Sequence, residues 1–280
     1  MLHTVSVAGL TVTAATKKQI LVYISERLEQ NKPTRIVTPY SEFLFAALRD
    51  RAVMDMLNSA DISLADGVGM VWAATYLNVP LRSKNTFTRY LGATWQMMYT
   101  GARILLQPKS LYTIIPEKIA GADFFINLVD LAAQKNLSLY LLGGYGDVAL
   151  QTSKKLRKRH PQLRIAGFSN KDSTDPTIVA DIQEANPDLL FVAFNPIGQD
   201  TWIAKHLSEL PSVKVAIGLG GTFDYVSGNK TQPPRFVRTI GLEWLFRLIT
   251  QPKRYKRIYN ATFGLVFLLI RYKVQHIQEK

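Results

Sequence analysis

Short, continuously apolar runs alternate along this chain with longer stretches in which apolar residues recur every three or four positions. The short runs predict buried strands, and they cover residues 34–39, 61–67, 137–144, 163–168, 188–194 and 213–221. The longer stretches predict amphipathic helices over residues 17–30, 41–60, 69–78, 147–160, 176–185 and 199–209. This alternation is typical of βαβ units, so we expect an α/β fold with a Rossmann-like, mostly parallel sheet that helices cover on both faces.

Local signals predict several of the element boundaries. Residues 1–13 alternate weakly and contain Gly9, which indicates a short hairpin. Thr16 and Gln19 have the spacing of a capping box, so a helix is expected to begin at residue 17. Ser41 is the expected N-cap of one long helix over 41–60, and Asp66 is expected to end the strand over 61–67.

Polar and glycine-rich stretches follow most of the predicted strands. They are Thr38 to Tyr40, Asp66-Gly67, Gly143-Gly144, Asn195 to Asp200 and Gly220-Gly221. Ligands of parallel sheets bind beyond the carboxyl ends of the strands. The sequence therefore predicts one shared cleft at this edge of the sheet.

The carboxylate of Asp66 stands among apolar residues in "SLADGVGMVW", residues 63–72. An isolated carboxylate is costly to bury unless it is paired or hydrogen-bonded. Asp66 is therefore expected either to cap a helix or to be held at the edge of a cleft for chemistry.

The other strand-end motifs each permit a structural and a functional interpretation. Gly143 and Gly144 suit either a tight strand-to-helix turn or a backbone that approaches a phosphate, although their spacing is not that of a dinucleotide fingerprint. Asn195, Gln199 and Asp200 could hydrogen-bond sugar hydroxyls or a base edge, whereas Asp200 could equally complement a helix dipole. Residues 217–234, which include Asp224, form either a rigid connection or a functional loop.

Metal ligands in a recognisable pattern are absent from the sequence. It contains no D-x-D pair, no zinc-binding spacing and only four scattered histidines. We therefore expect a site that works without a metal or other cofactor.

Composition and charge bear on location and partners. The 280 residues include no cysteine, and the N-terminus shows no basic region followed by an apolar one, so a cytoplasmic protein is expected. The formal net charge is +13, and residues 230–280 contribute eleven Lys or Arg against two Glu. Such a basic segment favours an anionic partner: nucleic acid, anionic lipid or a phosphorylated substrate.

The C-terminal segment combines this charge with an apolar run. Arg247, Arg254 and Arg257 could align on one helical side if Pro252 starts a helix, and guanidinium groups so placed suit a diphosphate. The ten apolar residues 261–270 are well short of the roughly 20 needed to span a bilayer. They suit either a helix that lies in the membrane interface or a terminal helix that packs on the core. Together with their basic and aromatic neighbours, they could also belong to an RNA-binding surface. Because the run is wholly apolar, the membrane is favoured.

Taken in order, several motifs resemble the WecG/TagA/CpsF family of bacterial glycosyltransferases over roughly residues 5–258. They are "VTPYSEFLFAALRD" (37–50), "LADGVGMVWAA" (64–74), "PEKIAGADF" (116–124), "LYLLGG" (139–144), "NPIGQDTWI" (195–203), "GLGGTFDYVSGNKTQPP" (218–234) and "GLEWLFRLITQPKRYKR" (241–257). The last motif and the D-G-x-G pattern after a strand are the most specific.

The resemblance implies an inverting, metal-independent transfer of N-acetylmannosamine or a related sugar from a UDP donor to a polyprenyl-diphosphate-linked acceptor in cell-surface polysaccharide synthesis. It implies Asp66 as the base, with Thr38 and Gln199 as the matching family residues, and it places the sugar beside Gly67 and Gly69. The remaining donor-binding candidates are Gly143, Gly144, Asn195, Gly220, Gly221 and Asp224, and the acceptor diphosphate would lie on Arg247, Arg254 and Arg257. It also implies self-association and peripheral attachment to the inner face of the plasma membrane.

The resemblance implies two parts: a glycosyltransferase domain over 1–239 and a helical, membrane-associating appendage over 240–280. The chain departs from the family pattern at Tyr40, Lys118, Gln232 and the stretch Pro196 to Asp200, and residues 82–114 form an insertion that is basic, aromatic and free of acids. The insertion is expected to be a second membrane or acceptor contact, or a lid. Two alternatives to the enzyme are a non-catalytic member that binds nucleotide or polyprenyl-phosphate, and a basic RNA-binding protein; no nucleic-acid partner is expected in the main interpretation.

Overall fold

Eight strands are present in the part of the chain that the structure describes, a computed structural model covering residues 2–82, 85–234, 237, 238 and 241–276. β1 (Thr4–Val7) and β2 (Leu10–Thr13) form the expected antiparallel hairpin around Gly9. The others are β3 (Thr34–Val37), β4 (Ile62–Ser63), β5 (Ser138–Gly143), β6 (Arg164–Ser169), β7 (Leu189–Ala193) and β8 (Val215–Gly218). These six form one wholly parallel sheet in the order β4-β3-β8-β7-β5-β6. The expected α/β fold is confirmed.

Helices connect these strands and cover the sheet. They are α1 (Lys17–Glu29), α2 (Ser41–Ala47), α3 (Arg51–Asn58), α4 (Val68–Asn78), α5 (Thr86–Leu106), α6 (Gly121–Gln134), α7 (Val148–Arg159), α8 (Ile178–Ala185), α9 (Gly198–His206), α10 (Thr222–Ser227), α11 (Glu243–Thr250), α12 (Tyr255–Tyr259) and α13 (Leu265–His276). A π-helical turn, Asn260–Gly264, joins α12 to α13. The capping box of Thr16 and Gln19 is present at the start of α1.

The strands are apolar on both sides because both faces of the sheet are covered. Leu139 and Leu141 of β5 face a core shared with α1, α6, α7 and α10. The alternate residues Tyr140 and Leu142 face a second core with α8 and α9. A third cluster lies beyond the β3–β4 edge, where the hairpin packs with α2, α3, α4 and α13.

Three boundaries differ from the sequence expectation. The single helix predicted over 41–60 is wrong: the chain breaks between α2 and α3, where Asp50 is extended and caps α3. Ser41 is the first residue of α2, and the N-cap is Tyr40. β4 ends at Ser63, so the strand predicted over 61–67 is too long.

Three helices before residue 240 lie where the sequence gave no helix prediction: α5 in the insertion, α6 before β5, and α10 in the connection predicted over 217–234. Within the described residues, no helix is both long and apolar enough to cross a bilayer.

Candidate active site

The predicted cleft residues follow five neighbouring strands of the sheet. Along the order β4-β3-β8-β7-β5, these strands lead into Asp66, Thr38, Gly220, Asn195 and Gly144. Because all the strands are parallel, their carboxyl ends lie at one edge of the sheet. The topology therefore brings the expected residues to one edge, although it does not assign a role to any of them.

Backbone hydrogen bonds continue to join the segments that follow β3 and β4, as far as Asp66. The amide of Leu64 donates to the carbonyl of Val37 at 2.8 Å, and the amide of Asp66 donates to the carbonyl of Pro39 at 3.0 Å. Gly67 then turns the chain with a φ of 89° and serves as the N-cap of α4. That backbone conformation is open to glycine and strained for other residues.

The Asp66 carboxylate does not cap the helix that follows it. Its Oδ2 instead accepts a hydrogen bond from the amide of Gly121, the first residue of α6, at 3.2 Å. The positive end of a helix favours the ionised form of a nearby carboxylate. Asp66 is partly exposed, so it combines a fixed position with access from the cleft.

Thr38 lies directly beside this carboxylate. A Cβ atom built on Gly121 would be 3.4 Å from Asp66 Oδ2 and 3.5 Å from Thr38 Cγ2, so both side chains border the same glycine. The Thr38 hydroxyl donates to the carbonyl of Gly218 at 3.3 Å. Thr38 thus links the end of β3 to the end of β8.

Gln199 supports the loop after β8 from a buried position. Its side chain is only 2% exposed, and its Oε1 accepts a hydrogen bond from the amide of Gly220 at 2.7 Å. A Cβ on Gly218 would lie 2.6 Å from its Nε2, which explains why glycine ends that strand. The geometry makes Gln199 a positioning residue for Gly220, and its expected catalytic role stays a prediction.

The turn between β7 and α9 exposes Asn195 and encloses Asp200. Ile197 has a φ of 69°, a conformation that is strained for a β-branched residue. Asp200 is 1% exposed, and burial raises its pKa to about 7, against the opposing influences of the Gln199 amide and the Arg35 guanidinium. Asn195 can therefore meet a ligand, while Asp200 faces the interior.

The other glycines and Asp224 have structural partners. Gly143 comes so close to β7 that a Cβ would lie 2.7 Å from the carbonyl of Ala193, and the amide of Gly144 donates to that carbonyl at 3.0 Å. Asp224 accepts hydrogen bonds from Asn229 and Lys230. The structural interpretation therefore accounts for these positions, and donor binding there stays a prediction.

Gly69 does not leave room for a sugar as expected. A Cβ on Gly69 would lie 2.1 Å from Ser41 Oγ, so the space beside it is filled by the start of α2. The second glycine of the D-G-x-G pattern thus permits α2 and α4 to pack closely.

A carboxylate of α2 holds one of the three C-terminal arginines. Arg257 donates to Glu42 through Nε at 2.8 Å and Nη2 at 3.0 Å, and the Tyr40 hydroxyl donates to the same carboxylate at 2.8 Å. Arg254 lies one turn earlier, after Pro252 has opened a short 3₁₀ helix. Arg247 belongs to the separate helix α11, and its side chain lies outside the described residues.

The segment around residue 238 also reaches the start of α6. Lys118 Nζ donates to the carbonyl of Arg238 at 2.8 Å and lies 3.7 Å from a carboxylate oxygen of Glu243. Arg238 in turn lies 3.3 Å from Asp123. The C-terminal segment therefore contacts the helix whose first amide holds Asp66.

Sequence reasoning missed Glu42, and it placed Gly121 in the family motif over 116–124 without predicting its contact with Asp66. Gly121 is separated from Asp66 by 55 positions and Glu42 from Arg257 by 215, so neither pairing has a local signal. The described residues contain no cluster of three or more acidic or histidine side chains that could hold a metal.

The chain is similar to known glycosyltransferases over most of its length. The model described as "Glycosyl transferase WecG/TagA/CpsF family" matches residues 5–100 and 81–279. A relative from Bacillus spizizenii, named N-acetylglucosaminyldiphosphoundecaprenol N-acetyl-beta-D-mannosaminyltransferase, is 33% identical over 82% of this chain and 77% of its own length. Proteins of the same name are 32% identical in Bacillus subtilis, with the same coverage, and 25% identical in Staphylococcus aureus, over 80% of this chain and 74% of the relative.

Proposed function

Because the chain belongs to the WecG/TagA/CpsF family of glycosyltransferases, we propose that it transfers N-acetylmannosamine from a UDP donor to N-acetylglucosamine on a polyprenyl diphosphate. The names of the relatives support this sugar and this acceptor. The UDP donor follows from the sequence resemblance. The observation that carries the proposal is the placement of Asp66 at the cleft edge, between Thr38 and the first amide of α6.

In the proposed reaction, an acceptor hydroxyl attacks the anomeric carbon of the donor sugar. A new glycosidic bond forms, the bond from that carbon to the diphosphate of UDP breaks, and the configuration inverts. Asp66 accepts the proton of the attacking hydroxyl. The amide of Gly121, at the start of α6, fixes the position of that carboxylate through a hydrogen bond to Oδ2.

The donor is proposed to lie along the ends of β8, β7 and β5. Asn195 is exposed there and can hydrogen-bond a sugar hydroxyl or the uracil. Gly220 and Gly221 precede α10, and the pair Gly143-Gly144 precedes α7. The amides of Gly144 and Gly220 already donate to Ala193 and Gln199, so the diphosphate of the donor is proposed to meet other backbone amides of these turns.

The acceptor diphosphate is proposed to bind the arginines of the C-terminal segment. Glu42 and Tyr40 hold Arg257. Tyr40 lies only two positions after Thr38, which follows the end of β3. Tyr40 stands where the family pattern carries asparagine, and here its hydroxyl shares Glu42 with that arginine. Tyr40 departs from the pattern, but its hydrogen bond to Glu42 helps to position the carboxylate that holds the Arg257 guanidinium.

A lipid-linked acceptor places the enzyme at a membrane surface. We propose peripheral attachment at the inner face of the plasma membrane, supported by the net charge of +9 over residues 230–280. Self-association and independence from metals stay predictions from the resemblance.

The decisive experiment is turnover of the full chain and of Asp66→Asn. UDP-N-acetylmannosamine and a soluble, short-chain polyprenyl-diphosphate N-acetylglucosamine would be supplied, and UDP release and disaccharide formation measured. We expect Asp66→Asn to lower kcat by about 10²–10⁴-fold because the proton acceptor is lost. Donor binding, measured by calorimetry, should remain.

Asp55→Asn is the matched control, since Asp55 is an exposed acid on α3 that pairs only with Arg51 among the described residues, and it should leave kcat unchanged. Full turnover by Asp66→Asn would remove the base assignment. Nucleotide binding by the wild-type chain without product from any sugar donor would instead favour the non-catalytic alternative.

A further inference from the structure

Helix α5 has a large apolar surface that faces solvent. Its outward face carries large apolar side chains, each more than half exposed, which we call the α5 stripe: Phe87, Leu91, Trp95, Met98, Tyr99 and Leu106. Its inward face combines buried Ala93 and Met97 with the polar side chains of Gln96 and Thr100. The outward face of a surface helix is normally polar.

The inward face fixes α5 to the body of the protein. Thr100 accepts a hydrogen bond from the Trp72 indole at 3.1 Å, and Gln96 donates to the carbonyl of Pro80 at 2.8 Å. Ala93 is fully buried against Leu81 and Val274. The outward direction of the α5 stripe is therefore set by packing on two other elements, α4 and α13.

The length of α5 determines how it can meet a bilayer. Its 21 residues extend about 31 Å at 1.5 Å per residue. No described helix is apolar enough along such a length to cross a membrane. A helix with one apolar face lies in the plane of the interface instead.

Charge and side-chain type select the partner. Exposed Arg82 and Lys109 flank the two ends of α5, and the sequence has no acid between residues 82 and 116. Trp and Tyr, both present in the stripe, are enriched at membrane interfaces. A twofold pairing of two copies would bring Arg82 of one copy towards Lys109 of the other, which disfavours a dimer through this face.

Exposed aromatic side chains are also present on α13, which packs against α5, and on the π-helical turn before it. Phe263 and Phe267 are 63% and 67% exposed, while Leu265 and Leu269 of the same segment are buried. The insertion and the C-terminal segment thus both present aromatic groups to solvent.

We propose that the α5 stripe is a membrane-binding surface that inserts into the headgroup region of an anionic bilayer. It would hold the enzyme on the leaflet that carries its lipid-linked acceptor, so this role deepens the proposed function. The insertion then serves as a second attachment site, independent of the basic C-terminal segment.

The test is co-sedimentation of the full chain with vesicles of phosphatidylcholine, alone or mixed with phosphatidylglycerol. We expect binding to the mixed vesicles, reduced by at least about 100-fold in a Leu91→Ser, Trp95→Ser, Met98→Ser variant, because each replaced side chain loses its favourable transfer. Val22→Ser with Phe168→Ser removes exposed apolar groups from α1 and β6, and this control should bind as the wild type does. Brominated phosphatidylcholine should quench wild-type fluorescence, and Trp95→Phe should lose most of that quenching, with any remainder from exposed Trp244 of the C-terminal segment.

Two outcomes would overturn the proposal: equal vesicle binding by the triple variant, or a wild-type dimer that the triple variant splits without any effect of vesicles. Activity separates this proposal from the transfer reaction. The triple variant should retain turnover of the soluble acceptor and lose it for a long-chain acceptor in vesicles. Absence of turnover with both acceptors would count against the transfer, while stripe-dependent vesicle binding would still stand.

Discussion

At the scale of single residues, two carboxylates near the cleft differ because of what surrounds them. Asp66 lies at the N-terminus of α6, where the amide of Gly121 donates a hydrogen bond to its carboxylate. Asp200, four residues after Pro196, is enclosed, and neither of its oxygens has a hydrogen-bond partner within normal distance among the described residues. The proposed role as a base therefore falls to Asp66, which is partly exposed, and not to the enclosed Asp200.

The raised pKa of Asp200 predicts a pH dependence of stability. The pKa is about 7 in the folded state against 3.8 for the model group, so folding favours the protonated form. The stabilisation is present at low pH and is lost as the pH rises through about 7. Asp200→Asn, which cannot ionise, should therefore be more stable than the wild type by at least about 1 kcal/mol near pH 8.

Urea unfolding at several pH values measures this difference. The advantage of Asp200→Asn should disappear near pH 4, where the wild-type carboxyl is protonated in both states. Asp147→Asn, at an exposed position, is the matched control. A stability difference that does not change with pH would show that Asp200 remains charged in the fold.

Residue-level prediction from sequence worked where one strand end determined a position. Asp66, Thr38 and Asn195 follow recognisable apolar runs, and the parallel topology brings them to one edge. Gly121 belongs to a motif that the sequence showed, but its pairing with Asp66 could not be predicted, and neither could that of Glu42 with Arg257, because both contacts depend on the packing of elements far apart in the chain. Gly69 was assigned to the sugar because sequence does not show that Ser41 fills the adjacent space.

At the scale of elements, the break between α2 and α3 shows the limit of periodicity. Buried Ala47 and Met54 are seven positions apart, which is two helical turns, so an uninterrupted helix has the same pattern. The chain nevertheless extends at Asp50, whose carboxylate accepts a hydrogen bond from the amide of Ala52 at 2.9 Å. Capping, rather than hydrophobic spacing, determines where α3 begins.

Removal of this cap should weaken the fold by a predictable amount. Asp50→Ala leaves the first amides of α3 without their side-chain acceptor, so we expect the free energy of unfolding to fall by about 0.5–2 kcal/mol. Asp55→Ala lies on the same helix and removes only an exposed ion pair, so it should cost less than about 0.5 kcal/mol. Equal effects of the two substitutions in urea unfolding would contradict the capping role.

The orientation of helix α5 is a second feature that the sequence pattern did not predict. The sequence indicated a basic, aromatic insertion, but composition alone did not predict which face would be buried. Contacts of Ala93, Gln96 and Thr100 determine the orientation. The α5 stripe points outward because the opposite face, which includes buried Ala93 and Met97, packs on α4 and α13.

At the scale of the whole molecule, the C-terminal segment shares its core with the N-terminal half. Leu265 and Leu269 lie in the same buried cluster as Phe43 and Leu44 of α2. Lys273 is fully buried, donates to the carbonyl of Tyr76 and lies 4.2 Å from the centre of its ring. Burial lowers the pKa of Lys273 to about 8, so this cation stays enclosed only because α4 supplies these partners.

Sequence predicted the sheet and its covering helices well because buried strands leave a strong local pattern. It described residues 261–270 as either interfacial or core-packed, and both descriptions apply to different sides of one segment. Leu269 is fully buried and Phe267 is 67% exposed. A boundary between two independent parts at residues 239 and 240 stays a prediction, and it can be tested.

Substitution of these two neighbours distinguishes an integrated C-terminal helix from a separate appendage. Leu269→Ala should lower the free energy of unfolding of the whole molecule by about 2–5 kcal/mol, because it opens a cavity in the core shared with α2 and α4. Phe267→Ala should change it by less than about 0.5 kcal/mol, since that ring has little burial to lose. Urea unfolding followed by near-ultraviolet circular dichroism should show one transition, shifted only by Leu269→Ala. Two transitions, with only the smaller one shifted, would instead mean that the segment folds on its own beside the α/β domain.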